Sequence, residues 1–116
     1  MKGNVTGLGV DLAEVARIRA LARRNPRFLS RVFTPGELEY CGSGRNRWER
    51  LAARFAAKEA VIKALGDKTI ALKDIEVSSG PDGAPSVKVK GRPRLKLMIS
   101  LSHTGSCACA AVIAFS

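Results

Sequence analysis

The densest chemistry in this 116-residue sequence lies in one stretch, Arg54-Phe55-Ala56-Ala57-Lys58-Glu59-Ala60-Val61-Ile62-Lys63-Ala64-Leu65. On a helix Glu59 and Lys63 are four residues apart and share a face, as do Arg54 and Lys58. One reading is an exposed helix ion pair worth about 0.3 to 0.5 kcal/mol. Glu59 and Lys63 also share their face with Phe55 and Ile62, which draws them toward a packed surface. A carboxylate and an ammonium there suit a metal-phosphate site, Glu for the cation and Lys for a phosphate oxygen. Asp11 has two compatible readings, helix N-cap and cation ligand, because one carboxylate oxygen serves each. His103, the only histidine, lies between Ser102 and Thr104. It reads either as a hairpin-turn residue or as a phosphate donor grouped with hydroxyls.

These residues need elements to hold them. Val5 to Val10 reads as a strand ending at Asp11, and its Gly7 and Gly9 admit close approach by another backbone or a ligand. Leu12, Val15, Ile18 and Leu21 recur at helical spacing, predicting a helix capped by Asp11, with Glu14 at its third position, that stops before Pro26. Thr34-Pro35-Gly36-Glu37 has the pattern of a capping box, and capping alone accounts for Glu37. A long Ala-rich helix from about Trp48 to Leu65 should stop at Gly66. Strand composition then returns at Ile75 to Val77, Val87 to Val89, Leu95 to Leu101 and Ala108 to Phe115, with a hairpin-length gap at His103-Thr104-Gly105-Ser106. The order of one strand, three helices and about four strands predicts one α+β domain over residues 1–116, a mostly antiparallel sheet packed on a long central helix.

Composition narrows the partners. Twenty Lys and Arg against ten Asp and Glu give a net charge of +10, so anionic ligands are favoured. Arg17, Arg19, Arg23, Arg24, Arg27 and Arg31 include no acidic neighbour, and Arg17 and Arg24 share a helical face. Arginine favours forked recognition of carboxylate or phosphate. Nucleic acid satisfies the charge equally well, but the aromatic residues do not alternate with the basic ones as a stacking platform would. Neither a membrane-length apolar run nor an apolar N-terminal signal core is present, which predicts a cytoplasmic protein without a membrane partner. Cys41, Cys107 and Cys109 read as buried free thiols; a zinc site joining them to His103 lacks the usual Cys-x2-Cys spacing. There is no dinucleotide fingerprint, Walker loop or nucleophile elbow.

Gly7-Leu8-Gly9-Val10-Asp11-Leu12, Phe33-Thr34-Pro35-Gly36-Glu37, the Arg54-to-Leu65 block and Ser100-Leu101-Ser102-His103-Thr104 together resemble the holo-acyl-carrier-protein synthases, small bacterial phosphopantetheinyl transferases. The resemblance runs through nearly the whole chain in order. It implies Mg2+-dependent transfer of the 4'-phosphopantetheine arm of coenzyme A to a serine of an apo acyl carrier protein, in fatty acid or polyketide synthesis. It also implies a homotrimer with each active site between two subunits. By the same resemblance Asp11 and Glu59 fall on the Mg2+ ligands and Lys63 on the lysine at the reacting phosphate. Arg54 and His103, with Ser102 and Thr104 beside it, fall on positions that hold coenzyme A. Arg17, Arg24 and Arg27 match the surface that docks the acidic carrier helix. The serine proton goes to Glu59 or to a water that Glu59 orients. Gly66-Asp67-Lys68-Thr69 departs from the family, being shorter and poorer in glycine than its usual loop. Two rival classes are a basic nucleic-acid-binding module without catalysis and a metal-dependent phosphohydrolase, which would need a second carboxylate or histidine metal site.

Overall fold

The structure is a computed structural model and describes residues 3–116. Strand β1 (Val5–Glu14) leads into helices α1 (Val15–Arg24), α2 (Phe28–Val32), α3 (Pro35–Cys41) and α4 (Arg47–Leu65). A 3-10 turn at Leu72–Asp74 opens the β2 (Ile75–Ser79) and β3 (Pro85–Val89) hairpin, and β4 (Lys96–His103) and β5 (Cys107–Phe115) follow. Every strand pairing is antiparallel, in two sheets, β1-β5-β4 and β2-β3. The α+β class holds, and the expected single sheet is two.

Small residues explain how tightly the central helix sits. Ala108, Ala110, Val112 and Ala114 alternate along β5 and are buried, facing the buried Ala53, Ala56, Ala57, Ala60 and Ala64 of α4. On β1 the matching positions are Gly7, Gly9, Asp11 and Ala13. A Cβ on Gly9 would stand 1.9 Å from the Ala60 carbonyl oxygen, and one on Gly7 1.8 Å from that of Ala64. The close approach that these glycines admit is therefore to the backbone of α4.

That contact corrects the reading of Asp11. It is not a helix cap: β1 continues four residues beyond Val10, pairing Asp11 with Ala110 and Glu14 with Cys107. Helix α1 starts at Val15 without a side-chain cap, and the Val15 N–H donates to the Ser106 carbonyl at 2.9 Å. Ladder bonds to β5 outweigh the local capping pattern. Leu12, assigned by spacing to the helix, lies on the outer face of the sheet and is 65% exposed. The five-residue α2 was also missed, since one short turn leaves too little periodicity to see.

Local stop and start signals behave as read. Thr34 and Glu37 form the capping box, with Thr34 N–H donating to Glu37 at 2.9 Å and Glu37 N–H to the Thr34 hydroxyl at 3.2 Å. Gly66 ends α4 in the left-handed conformation, φ 66°. All three thiols are free, but only Cys41 is buried; Cys107 and Cys109 are half-buried on the outer face of β5. His103 pairs with Ala108 and so belongs to the opposite face, which separates it from both strand thiols and dissolves the zinc grouping.

Candidate active site

Asp11 and Lys63 meet where β1 crosses α4. The Lys63 ammonium donates to Asp11 Oδ1 at 2.8 Å and to the Val10 carbonyl at 3.2 Å. The hydrogen bond that Lys63 donates to Asp11, then the Asp11 charge, hold the Lys63 ammonium above its ordinary value; desolvation opposes them, and the Glu59 charge adds a lesser push upward. Lys63 therefore pairs across to the strand rather than back to Glu59. Glu59 is half-buried and makes no hydrogen bond or ion pair among the described residues. One exposed cation thus stands beside two carboxylates, and only one of those carboxylates is occupied.

Lys58, the neighbour of Glu59, points inward and is 0% exposed. Its ammonium bonds to Glu37 Oε1 at 2.7 Å, to the Leu72 carbonyl at 3.0 Å and to the Ile75 carbonyl. Burial pushes the Lys58 ammonium below its ordinary value, and the Glu37 carboxylate opposes that. Glu37 also accepts the Val77 N–H at 2.8 Å, so it does more than cap α3. This buried knot joins α3, α4 and β2 and fixes the roll of α4, which decides where Glu59 and Lys63 point. Sequence spacing hid it because a Lys on a helix ordinarily snorkels to water.

Arg54 opens on a second site. It is 4% exposed, its guanidinium carbon lies 4.3 Å from the Tyr40 ring centroid, its Nη1 donates to the Arg50 carbonyl at 3.5 Å, and its Nε has no hydrogen-bond partner among the described residues. It lines a cavity of about 250 Å³ together with Tyr40, Arg50, Ser79, Pro85 and His103. The Tyr40 hydroxyl is held below its usual value, first by Ser79 and then, against some burial, by the Arg54 and Arg50 charges. His103 Nδ1 is 3.1 Å from Glu49 Oε1. An orphaned buried guanidinium nitrogen beside a histidine and a second arginine describes a receptor for an anion.

The remaining expected site residues lie outside this cavity. Ser102 pairs with Cys109 and faces the outer side of the sheet, opposite to His103. The Thr104 hydroxyl is engaged in its own turn, accepting the Ser106 and Cys107 N–H groups at 3.3 and 3.2 Å. Arg17 and Arg24 are exposed on α1, and Arg27, also exposed, is the residue before α2. Arg54 and His103 come together, as do Asp11 and Lys63 with Glu59 nearby. The two groups do not meet within the chain: at 100° per residue Arg54 lies roughly 140° to 180° around α4 from Glu59 and Lys63.

A sequence model of the 4'-phosphopantetheinyl transferase superfamily matches residues 7–112. The chain belongs to that superfamily. Among its relatives, the holo-[acyl-carrier-protein] synthase of Thermodesulfovibrio yellowstonii is 46% identical over 111 residues, covering 94% of this chain and 97% of the relative. That of Dehalococcoides mccartyi is 46% identical over 116 residues, covering 91% and 95%. The crystal structure of the Bacillus anthracis holo-(acyl-carrier-protein) synthase in complex with CoA (3',5'-ADP) superposes with a TM-score of 0.85 at 32% identity, covering 97% of each chain.

Proposed function

We propose that this chain is a holo-[acyl-carrier-protein] synthase: it transfers the 4'-phosphopantetheine arm of coenzyme A to a serine of an apo acyl carrier protein and releases adenosine 3',5'-bisphosphate. The observation that carries the reading is the buried Arg54, whose Nε has no hydrogen-bond partner among the described residues, in a cavity beside His103, in a chain that shares its fold with proteins crystallised with coenzyme A. In the transfer, a bond forms from the serine oxygen to the phosphorus bearing pantetheine, and the bond from that phosphorus to the bridging pyrophosphate oxygen breaks. Such a step needs positioned charge more than a reactive side chain.

Each residue has a part. Arg54 and His103 hold an anionic portion of coenzyme A; Ser102, on the opposite face of β4, and Thr104, whose hydroxyl is engaged in its own turn, stand outside that cavity. Lys63 offsets charge on the phosphorus under attack. Asp11 on β1 and Glu59 on α4 offer hard carboxylate oxygens on adjoining elements and would hold Mg2+ there. Lys63, whose side chain is 54% exposed, lies beside both carboxylates and presents its ammonium to a phosphate at this cluster. When bound, Mg2+ supplies positive charge to the pyrophosphate. Glu59, unpaired, takes the serine proton itself or through a water it orients. Arg17, Arg24 and Arg27 meet the acidic helix of the carrier, whose holo form serves fatty acid or polyketide synthesis.

The working form is a homotrimer of one-domain subunits in the cytoplasm. Two features support a shared site. The outer face of the β1-β5-β4 sheet is bare, with Leu8, Val10, Leu12 and Met98 each 50% or more exposed, an apolar surface that association would cover. The Asp11–Glu59–Lys63 cluster and the Arg54–His103 cavity lie on opposite sides of α4, so one cofactor spanning both needs two subunits. A nucleic-acid module fits less well, because Phe28, Phe33 and Phe55 are committed to the interior rather than set among the surface arginines. Among the described residues no helix is long and apolar enough to cross a membrane.

Intact-mass analysis of an apo carrier protein incubated with this chain, coenzyme A and Mg2+ tests the reading. A gain of one phosphopantetheinyl group, suppressed by a chelator, is expected. No gain across several carriers overturns it.

A further inference from the structure

Helix α1 carries two rows of arginine, and carrier docking uses only one. At 100° per residue Arg17 and Arg24 lie on one flank of the buried Val15 and Ile18, while Arg19 and Arg23 lie on the other, roughly 130° away. A partner helix laid along the first row does not reach the second. Arg19 and Arg23 instead face a cavity of about 770 Å³ bounded by α1, the start of α4 and the Gly105-Ser106 turn. Arg24 and Arg45 complete its basic wall, and Ala16 and Ala20 keep its mouth wide.

None of these four guanidiniums is within 4.0 Å of a carboxylate among the described residues. Glu14 and Glu49 also line the cavity, but Glu49 is engaged by His103 at 3.1 Å. Gathering unpaired guanidiniums on a concave wall costs self-repulsion that a polyanion would relieve. Their planar forks match phosphate oxygens in pairs. The cavity also contains the chain's sole tryptophan, Trp48, half-buried, with the Arg47 guanidinium carbon 4.9 Å from its ring centroid. A flat aromatic surface beside several phosphate-seeking groups defines a ligand with both a planar base and more than one phosphate.

We propose that this cavity binds a nucleotide carrying at least two phosphate groups, its phosphates on Arg19, Arg23 and Arg45 and its base against Trp48. The site is separate from the Arg54–His103 cavity, and the Glu49–His103 pair is their shared wall, since Glu49 lines one and His103 the other.

Trp48 emission reads this site directly. Titration with adenosine 3',5'-bisphosphate should change it saturably, inorganic pyrophosphate should displace the nucleotide, and adenosine alone should not bind. The double variant R19Q/R23Q should raise the nucleotide Kd tenfold or more while leaving kcat and the KM for coenzyme A unchanged. The R54Q variant, altered in the other cavity, should keep the Trp48 titration. The site is disproved if wild-type emission shows no saturable change, if R19Q/R23Q titrates like wild type, or if R54Q abolishes the response. Adenosine binding as tightly as the bisphosphate, or failure of pyrophosphate to compete, equally overturns it. Both substituted arginines are exposed, and thermal melts of each variant check that the fold is retained.

Discussion

Lys58 and Glu59 are consecutive residues with opposite fates. Lys58 is locked in the interior and Glu59 has no partner among the described residues, so a buried charge sets the direction in which a half-buried one points. Lys58→Met should leave Glu37 buried beside an apolar side chain and destabilise the fold by about 3 to 5 kcal/mol, read from urea unfolding. Asp11→Asn acts elsewhere: it should leave the fold intact but cut carrier modification about 100-fold or more and raise the Mg2+ concentration needed for half-maximal rate. Wild-type turnover of that variant at limiting Mg2+ would remove Asp11 from the metal site. The Asp67 carboxyl offers a pH test. Hydrogen bonds from Thr69 and Arg92 depress it from 3.8 to about 2, and Arg92 lies 2.5 Å away. A depressed folded-state value means that this contribution is full above pH 3.8 and is lost as pH falls through about 2. The stability gap between wild type and Asp67→Asn should therefore be flat above that window and close within it, in acid-titrated melts.

The contact between β1 and α4 is the element that makes the site. Asp11 comes within reach of Lys63 because Gly7 and Gly9 let the strand backbone rest on the helix backbone. The obstacles to a Cβ there are carbonyl oxygens of a buried helix, which cannot move aside as a flexible side chain would. Gly9→Ala should push β1 off α4, costing about 1 to 3 kcal/mol or more in chemical denaturation. Its loss of turnover should exceed what the residual folded fraction accounts for, since Asp11 moves with the strand. The Thr34 capping box and the Gly66 stop set the limits of α3 and α4, and the Glu37–Lys58 pair then sews the two helices to β2.

At the scale of the whole molecule, the opposite placement of the two half-sites on α4 predicts complementation. Asp11→Ala and Arg54→Ala subunits, each inactive alone, should regain carrier modification when unfolded together and refolded as mixed oligomers, because some interfaces then join two intact halves. No recovery from mixed oligomers verified by mass would place both halves of the reaction within one subunit. Val10→Lys on the exposed apolar sheet face should shift sedimentation from an associated species toward monomer and abolish turnover while leaving the far-ultraviolet spectrum of the fold in place. The surplus of ten positive charges divides in the same way, between an exposed row on α1 and arginines that line concave surfaces.

Short-range chemistry was written openly in the residues. The capping box at Thr34 and Glu37, the Gly66 stop, the hairpin after His103 and the face shared by Glu59 and Lys63 all depend on neighbours within a few positions, and each was readable. The motif blocks carried the family in the same local way. What lay beyond the sequence was every outcome set by partners distant along the chain. Asp11 fits a helix cap by local pattern, yet β5, from the other end of the protein, claims it as a strand residue. Arg54 and Lys58 look like surface charges on an amphipathic helix, yet Tyr40, Glu37 and two carbonyls enclose them. Hydrogen-bond ladders and desolvated charges depend on what tertiary folding brings near, and only the assembled fold settles which side of α4 faces a phosphate.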